Sequence, residues 1–224
     1  MPIHCHVHET RAEIEQGVAQ HGVRPLERLR SLGIVGPRLI AVHAVHFEEA
    51  ELDLLAREGV SVAHCPSSNL KLASGIAPVA AMRARGMHVG LGTDGAASNN
   101  RLDPWTEMRT AALLAKAASN DASVVSAAEA LEMATLDGAR ALGLDGQIGS
   151  IEAGKWADLA AVELDSIETL PCFDPVSHLV YAAGREHVTH TWVAGEARLE
   201  ERRLTGIDAG DLRDKAMWWK GRIQ

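Results

Sequence analysis

The sequence predicts an α/β protein: a parallel sheet whose strands alternate with helices, then a small antiparallel β module and a terminal helix. Three observations lead there. Four short runs, ending at Val7, His43, His64 and just before Asp94, are each followed by a segment with helical spacing or by a helix start. The runs are nearly continuous in apolar residues, as strands covered on both faces are. After Gln147 the texture changes to short segments punctuated by glycine, which suits antiparallel strands joined by tight turns.

In chain order, Pro2 to Val7 reads as a strand, and Thr10 can cap a Glu-rich helix from Arg11 to Gln20. Arg38 to Val45 holds a second strand ending at His43, followed by a helix over Glu48 to Glu58 that Gly59 closes. Val60 to His64 is the third strand, Cys65 to Asn69 a loop, and Ala77 to Arg85 a helix stopped at Gly86. Met87 to Gly90 leads into Leu91 to Asn100, where Gly95 gives the backbone freedom to turn beneath Asp94 and the polar Ser98, Asn99 and Asn100 follow. Asp103 and Pro104 mark a helix start that runs to Ala118. Ser126 with Glu129 forms a capping box for another helix, and Thr135 to Leu142 extends it to Gly143. Residues 1–146 form the first unit on this reading. Residues 147–224 form the β module, with segments at Gly149 to Lys155, Ala157 to Leu164, His178 to Ala182, Val188 to Ala194 and Ala197 to Glu200, and a hairpin turn at Ala194-Gly195-Glu196. The tail, Asp208 to Trp219, is an amphipathic helix expected to pack Met217, Trp218 and Trp219 on the main body.

With 224 residues, 46% hydrophobic and 23% charged, the chain is long enough for a sizeable core. No run approaches the roughly 18 apolar residues that a membrane-spanning helix needs, and the start has no signal-peptide pattern. A cytoplasmic address is expected. Cys5, Cys65 and Cys172 are odd in number and widely spaced, which fits reduced thiols rather than a disulfide framework. A net charge of -8 disfavours nucleic acid or an anionic membrane as partner and leaves a small molecule.

The strand ends carry the chemistry. His6 with Glu9, His43 with His46, His64, and Asp94 stand where a parallel barrel gathers its catalytic groups, on the rim of loops that follow the strands. Histidine and carboxylate together suit a divalent metal and an activated water, with a further carboxylate to move protons.

The segments His6-Val7-His8-Glu9-Thr10, Val42-His43-Ala44-Val45-His46, His64-Cys65-Pro66-Ser67-Ser68-Asn69-Leu70-Lys71-Leu72 and Gly92 to Asn100 resemble, in order and spacing, the second half of the amidohydrolase superfamily. The branch they most resemble is that of the methylthioadenosine/S-adenosylhomocysteine deaminases and the related triazine hydrolases. Gly149 to Asp158 and Val193-Ala194-Gly195 match its C-terminal signature. The resemblance implies a partial TIM-type (β/α)8 barrel comprising strands five to eight, with the C-terminal part of a small β-sandwich module and a C-terminal helix. It makes His6 and Asp94 ligands of one divalent metal, zinc by expectation with iron or manganese as alternatives. It makes Glu9 the proton-handling glutamate, His43 a contact of the reacting water or substrate, and Asp94 also the acceptor of the water's proton. The implied reaction is hydrolytic deamination of an aminated purine or similar heterocycle, with triazine dechlorination, guanine or pterin deamination, or a non-catalytic module as rivals. His4 and His8 match no role, His8 is expected to face away from His6, and His64 is expected to shape its loop rather than bind metal.

The resemblance also calls for a His-x-His pair on a first strand. His4 and His6 do not supply it, because Asp94 follows His6 by only 88 residues (94 − 6), room for about three strand-helix units rather than seven. The chain is therefore expected to be a C-terminal fragment, to bind zinc weakly, to show no turnover by itself, and to self-associate through open strand edges.

Overall fold

A computed structural model describes residues 1–223. Four parallel strands, β1 (Ile3–Val7), β2 (Leu39–His43), β3 (Ser61–His64) and β4 (Val89–Leu91), lie side by side in sequence order. Helices fill the connections: α1 (Arg11–His21), α2 (Pro25–Ser31), α3 (Glu49–Arg57), α4 (Pro66–Lys71) and α5 (Val79–Ala84). After β4 come α6 (Pro104–Ser119), α7 (Ala127–Ala134) and α8 (Leu136–Leu142). This parallel arrangement is what continuous apolar runs specify, and all five residues of β2 are buried.

The caps read in the sequence form as expected. Thr10 accepts from the Glu13 N–H, Asp103 from the Trp105 N–H, and Ser126 with Glu129 closes a reciprocal box. Leu39 and Val62 from the sheet meet Leu52 and Leu55 of α3, Met82 of α5 and Met133 of α7 in one core. Leu39, Leu52, Leu55 and Met82 are fully buried, each contributing about 2 kcal/mol of burial. At Gly90 the sheet touches α8 backbone to backbone, for a Cβ there would lie 2.9 Å from Gly138 Cα.

A second, antiparallel sheet holds β5 (Leu159–Val162), β6 (Val188–Val193), β7 (Glu196–Glu200) and β8 (Arg203–Leu204) in that order. Ala194 and Gly195, at φ of 52° and 80°, form the expected hairpin turn between β6 and β7. Among the described residues, no helix is long and apolar enough to cross a membrane. Cys5, Cys65 and Cys172 are all free.

The structure departs from the expectations at five places. Cys65 to Asn69 is not simply a loop, since Pro66 starts α4 at its first helical position. Pro25 likewise opens α2, which the sequence reading did not include. Gly149 to Lys155 forms turns rather than a strand. His178 to Ala182 falls on α9 (Pro175–Tyr181), capped by the Asp174 side chain, which accepts from the Val176 N–H at 3.0 Å. Val180 and Ala183 are buried there, and Arg109 of α6 holds the carbonyls of both. The terminal helix α10 (Ala209–Ile223) exists, yet Met217, Trp218 and Trp219 are 60%, 53% and 55% exposed. The two tryptophans pack edge to face on each other, and Arg222 lies over Trp218, so their partners lie within the helix itself.

Candidate functional site

His6, His43 and Asp94 come from the carboxyl ends of β1, β2 and β4, and their ligand atoms all lie within 4.8 Å of one another. Adjacent strands put the two histidines together: Val7 pairs with His43 in register, and the His6 and His43 rings meet edge-on at 4.9 Å. The chain turns sharply at these strand ends. His43, Ala44 and Asp94 have φ of 69°, 53° and 59°, a left-handed conformation that side chains other than glycine adopt only where surroundings enforce it. Part of that enforcement is visible, because the His8 carbonyl accepts from the N–H groups of both Val45 and His46.

Glu9 stands beside this cluster with Oε2 3.7 Å from His43 Nε2. Its place is set locally: the Glu13 carboxylate accepts from the N–H groups of His8 and Glu9 at 2.9 and 2.7 Å, pinning the turn before α1. The Ser74 hydroxyl donates to the other Glu9 oxygen at 3.3 Å. Two imidazoles and a carboxylate, with a second carboxylate adjacent, form a donor set that suits a divalent cation. The cluster therefore fits the metal that the sequence led us to expect.

A family model described as the amidohydrolase family matches residues 1–198. The chain belongs to the amidohydrolase family. It is 43% identical over 221 residues to a curated 5-methylthioadenosine/S-adenosylhomocysteine deaminase of Teredinibacter turnerae, covering 99% of this chain and 50% of that protein. Among solved structures it is similar to an adenosine deaminase from Xanthomonas campestris with bound zinc, at 53% identity and a TM-score of 0.98, covering 100% of this chain and 51% of the other. It is also similar to the zinc complex of atrazine chlorohydrolase from Arthrobacter aurescens, at 28% identity and a TM-score of 0.90, covering 96% and 48%. The chain thus spans about half the length of the curated relatives it matches.

Around the amidohydrolase cluster, hydrogen bonds select atoms. The hydroxyls of Ser68 and Ser98 donate to Asp94 Oδ2 at 2.7 and 2.5 Å. Burial pushes the Asp94 carboxyl up, but the bonds from Ser98 and Ser68, the Gly95 backbone and nearby His43 outweigh it and bring it to about 2, so Asp94 is ionised. His43 Nδ1 is bonded to Asn69 Oδ1 at 2.8 Å, which leaves Nε2 facing the cluster. The sequence placed Ser68, Asn69 and Ser98 within motif segments without giving them roles and did not mark Ser74, and no spacing rule shows which of them reaches a strand end.

The remaining histidines separate cleanly. His64 is buried, and desolvation first, then repulsion from His43, lowers it to about 4, so it stays neutral. It lies outside the three-residue cluster. His8 does leave the His6 side, but not through strand alternation, which would put positions two apart on one face. The strand ends at Val7, His8 adopts φ 54°, and its ring packs on Phe47 and accepts from the Leu26 N–H. Cys65 is buried near the site, and desolvation, then the charges of Asp94 and Glu107, push its thiol up to about 12. It stays protonated and is no nucleophile.

Proposed function

We propose that this chain supplies half of a metal-dependent hydrolase of C–N bonds that releases ammonia from an aminated purine or a similar heterocycle. One arrangement carries the proposal: a His6, His43 and Asp94 cluster with a separate carboxylate, Glu9, 3.7 Å from His43. A single ligand carboxylate would serve many hydrolyses. The second one, placed beside the cluster, is what deamination of a ring requires, since a ring nitrogen must gain a proton during attack.

His6 and Asp94 would hold the metal, with zinc favoured because both solved relatives described above contain it. Iron(II) or manganese(II) accept the same donors. When bound, the metal would supply the Lewis acidity that makes a water nucleophilic at neutral pH. Asp94 takes the proton of the attacking water, and His43 orients that water or the substrate through Nε2. Glu9 delivers a proton to the ring nitrogen. The water oxygen bonds to the ring carbon, Asp94 passes the water's proton to the exocyclic nitrogen, the bond between carbon and that nitrogen breaks, and ammonia leaves while the new hydroxyl returns a proton to Glu9.

We assign β1 to β4 as units five to eight of a (β/α)8 barrel, with residues 1–146 as the barrel part and 147–224 as the β module. The parallel order of the strands and the position of the cluster at their carboxyl ends support this assignment. A cytoplasmic location accords with three free cysteines.

The test purifies the chain alone and co-expressed with the half of the Xanthomonas campestris relative that it does not match. Methylthioadenosine, S-adenosylhomocysteine and adenosine are followed by the ultraviolet shift of the adenine chromophore, and a chlorinated triazine by chloride release. Purine deamination by the pair is expected. Chloride release alone would move the assignment to the triazine reaction, which the likeness to atrazine chlorohydrolase favours as second reading. In the pair, Asp94→Asn and His6→Ala should lose metal, while Glu9→Gln should keep it and lose rate by at least about 10². A metal-free Glu9→Gln protein would refute the division of roles.

A further inference from the structure

Glu107 lies in the first turns of α6, outside the three-residue cluster, and is 1% exposed. No ion pair of Glu107 is found among the described residues. Its two oxygens instead reach two different loops: Oε2 accepts from the Ser67 N–H of α4 at 3.0 Å, and Oε1 from Asn99 Nδ2 at 2.7 Å. Ser67 precedes Ser68, and Asn99 follows Ser98. Those are the two residues whose hydroxyls grip Asp94 Oδ2. Each hydroxyl holding Asp94 is therefore one residue away from a group held by Glu107.

A buried carboxylate without a cation is costly, and it persists only where its hydrogen bonds are worth the desolvation. Here those bonds tie α4, which follows β3, to the 95–99 turn, which follows β4. The turn has its own closure, with the Ser98 and Asn99 N–H groups donating to the Gly95 carbonyl, so it moves as a unit. On the outer side Lys71 donates to Ala97 O and Asn100 Oδ1, but that ammonium is exposed and its bonds are correspondingly weak. The inner tie is the one that sets spacing.

We propose that Glu107 is a positioning residue for Asp94: by fixing the separation of α4 and the 95–99 turn, it fixes where the Ser68 and Ser98 hydroxyls stand and hence how Asp94 is aimed. Oδ2 is thereby occupied by the two hydroxyls. The proposal rests on the reading of Asp94 as the carboxylate that serves metal and water, and its test is built to fail separately from that reading.

Three variants decide it: Glu107→Gln, Asn99→Asp and the two together. The first turns one acceptor into a donor and leaves two N–H donors facing each other at Asn99. The second sets two carboxylates 2.7 Å apart. In the double variant the new amide donates to the new carboxylate while its oxygen still accepts from Ser67, so the network is restored with donor and acceptor exchanged and the net charge unchanged.

The first readout uses the metal-free chain: amide exchange at Ser67 and over residues 95–99. Each single variant is expected to raise exchange at both places by at least about tenfold, and the double variant to return it close to the starting protein. The second readout is zinc affinity, by competition with a chromophoric chelator, which should fall about tenfold in each single variant and recover in the double. If the unsubstituted chain by itself binds zinc too weakly to compete with the chelator, as the missing ligand pair allows, exchange alone decides. Exchange that rises at only one of the two places, or a double variant no better than the singles, overturns the proposal. So does a rise spread evenly over the whole chain, which would mark a general loss of stability.

Discussion

Replacing Asn69 with leucine is a sharp perturbation of the site, because the two side chains are close in size and differ in one essential contact. Asn69 and His43 are both 1% exposed, and the 2.8 Å bond from His43 Nδ1 is held by the amide oxygen. Leucine leaves the Nδ1 proton buried without an acceptor, at a cost of about 1–3 kcal/mol. Against this, Asn69 Nδ2 has no partner among the described residues, and removing that buried donor returns about 1 kcal/mol. The expected net loss is about 0–2 kcal/mol, read from urea denaturation at constant slope. The imidazole has one escape, which is to move its proton to Nε2. The stability loss would then shrink, but the lone pair that faces the cluster would vanish. Nitrogen-15 spectra of the His43 ring separate the outcomes, and Asn69→Asp, which keeps an acceptor, should preserve the original tautomer. An Asn69→Leu protein of unchanged stability and unchanged ring shifts would refute the reasoning.

Two further perturbations test the packing and the charges around the site. Gly90→Ala should cost about 1–3 kcal/mol, since its methyl group would press on Gly138 backbone. Gly138→Ala, whose added carbon has its nearest neighbour at 4.0 Å, should gain about 0.5–1 kcal/mol as a helix residue; urea midpoints in the opposite order would show that the contact between β4 and α8 is misjudged. Burial pushes the Glu51 carboxyl up, but the His8 ring 3.5 Å away and hydrogen bonds from Arg24 and from the Glu48 backbone bring it down to about 2 from an ordinary 4.5. Its stabilisation, at most about 3 kcal/mol, is therefore full above pH 4.5 and lost as pH falls toward 2, so Glu51→Gln should flatten the stability profile in that window. A profile as steep in the variant as in the parent would contradict this.

Much of the parallel sheet was legible because its signals are local. The runs at Leu39 to His43 and Ser61 to His64 had to be buried on both faces, and Asp103-Pro104 and Ser126 with Glu129 start helices through bonds made within one turn. The same logic placed His6, His43 and Asp94 at strand ends, where a parallel sheet brings such groups to one side. Asp174-Pro175 carried an equally clear helix start, but the apolar stretch after it has no length or periodicity that tells a short buried helix from a strand. Packing of Val180 against the core, with Arg109 holding its carbonyl from 71 positions earlier, is what decides for α9. Trp218 and Trp219 show the converse: an apolar helix face is written in the sequence, but whether anything covers it is not. The support of the site was the least legible part. Glu107 looks like any glutamate in the first turns of a helix, and Ser67, the backbone it holds, lies 40 positions away. Local sequence sets which conformations are cheap over three or four residues. Which buried polar groups must find one another across the sheet is settled only when the loops are folded together, because only then does desolvation force each of them to have a partner.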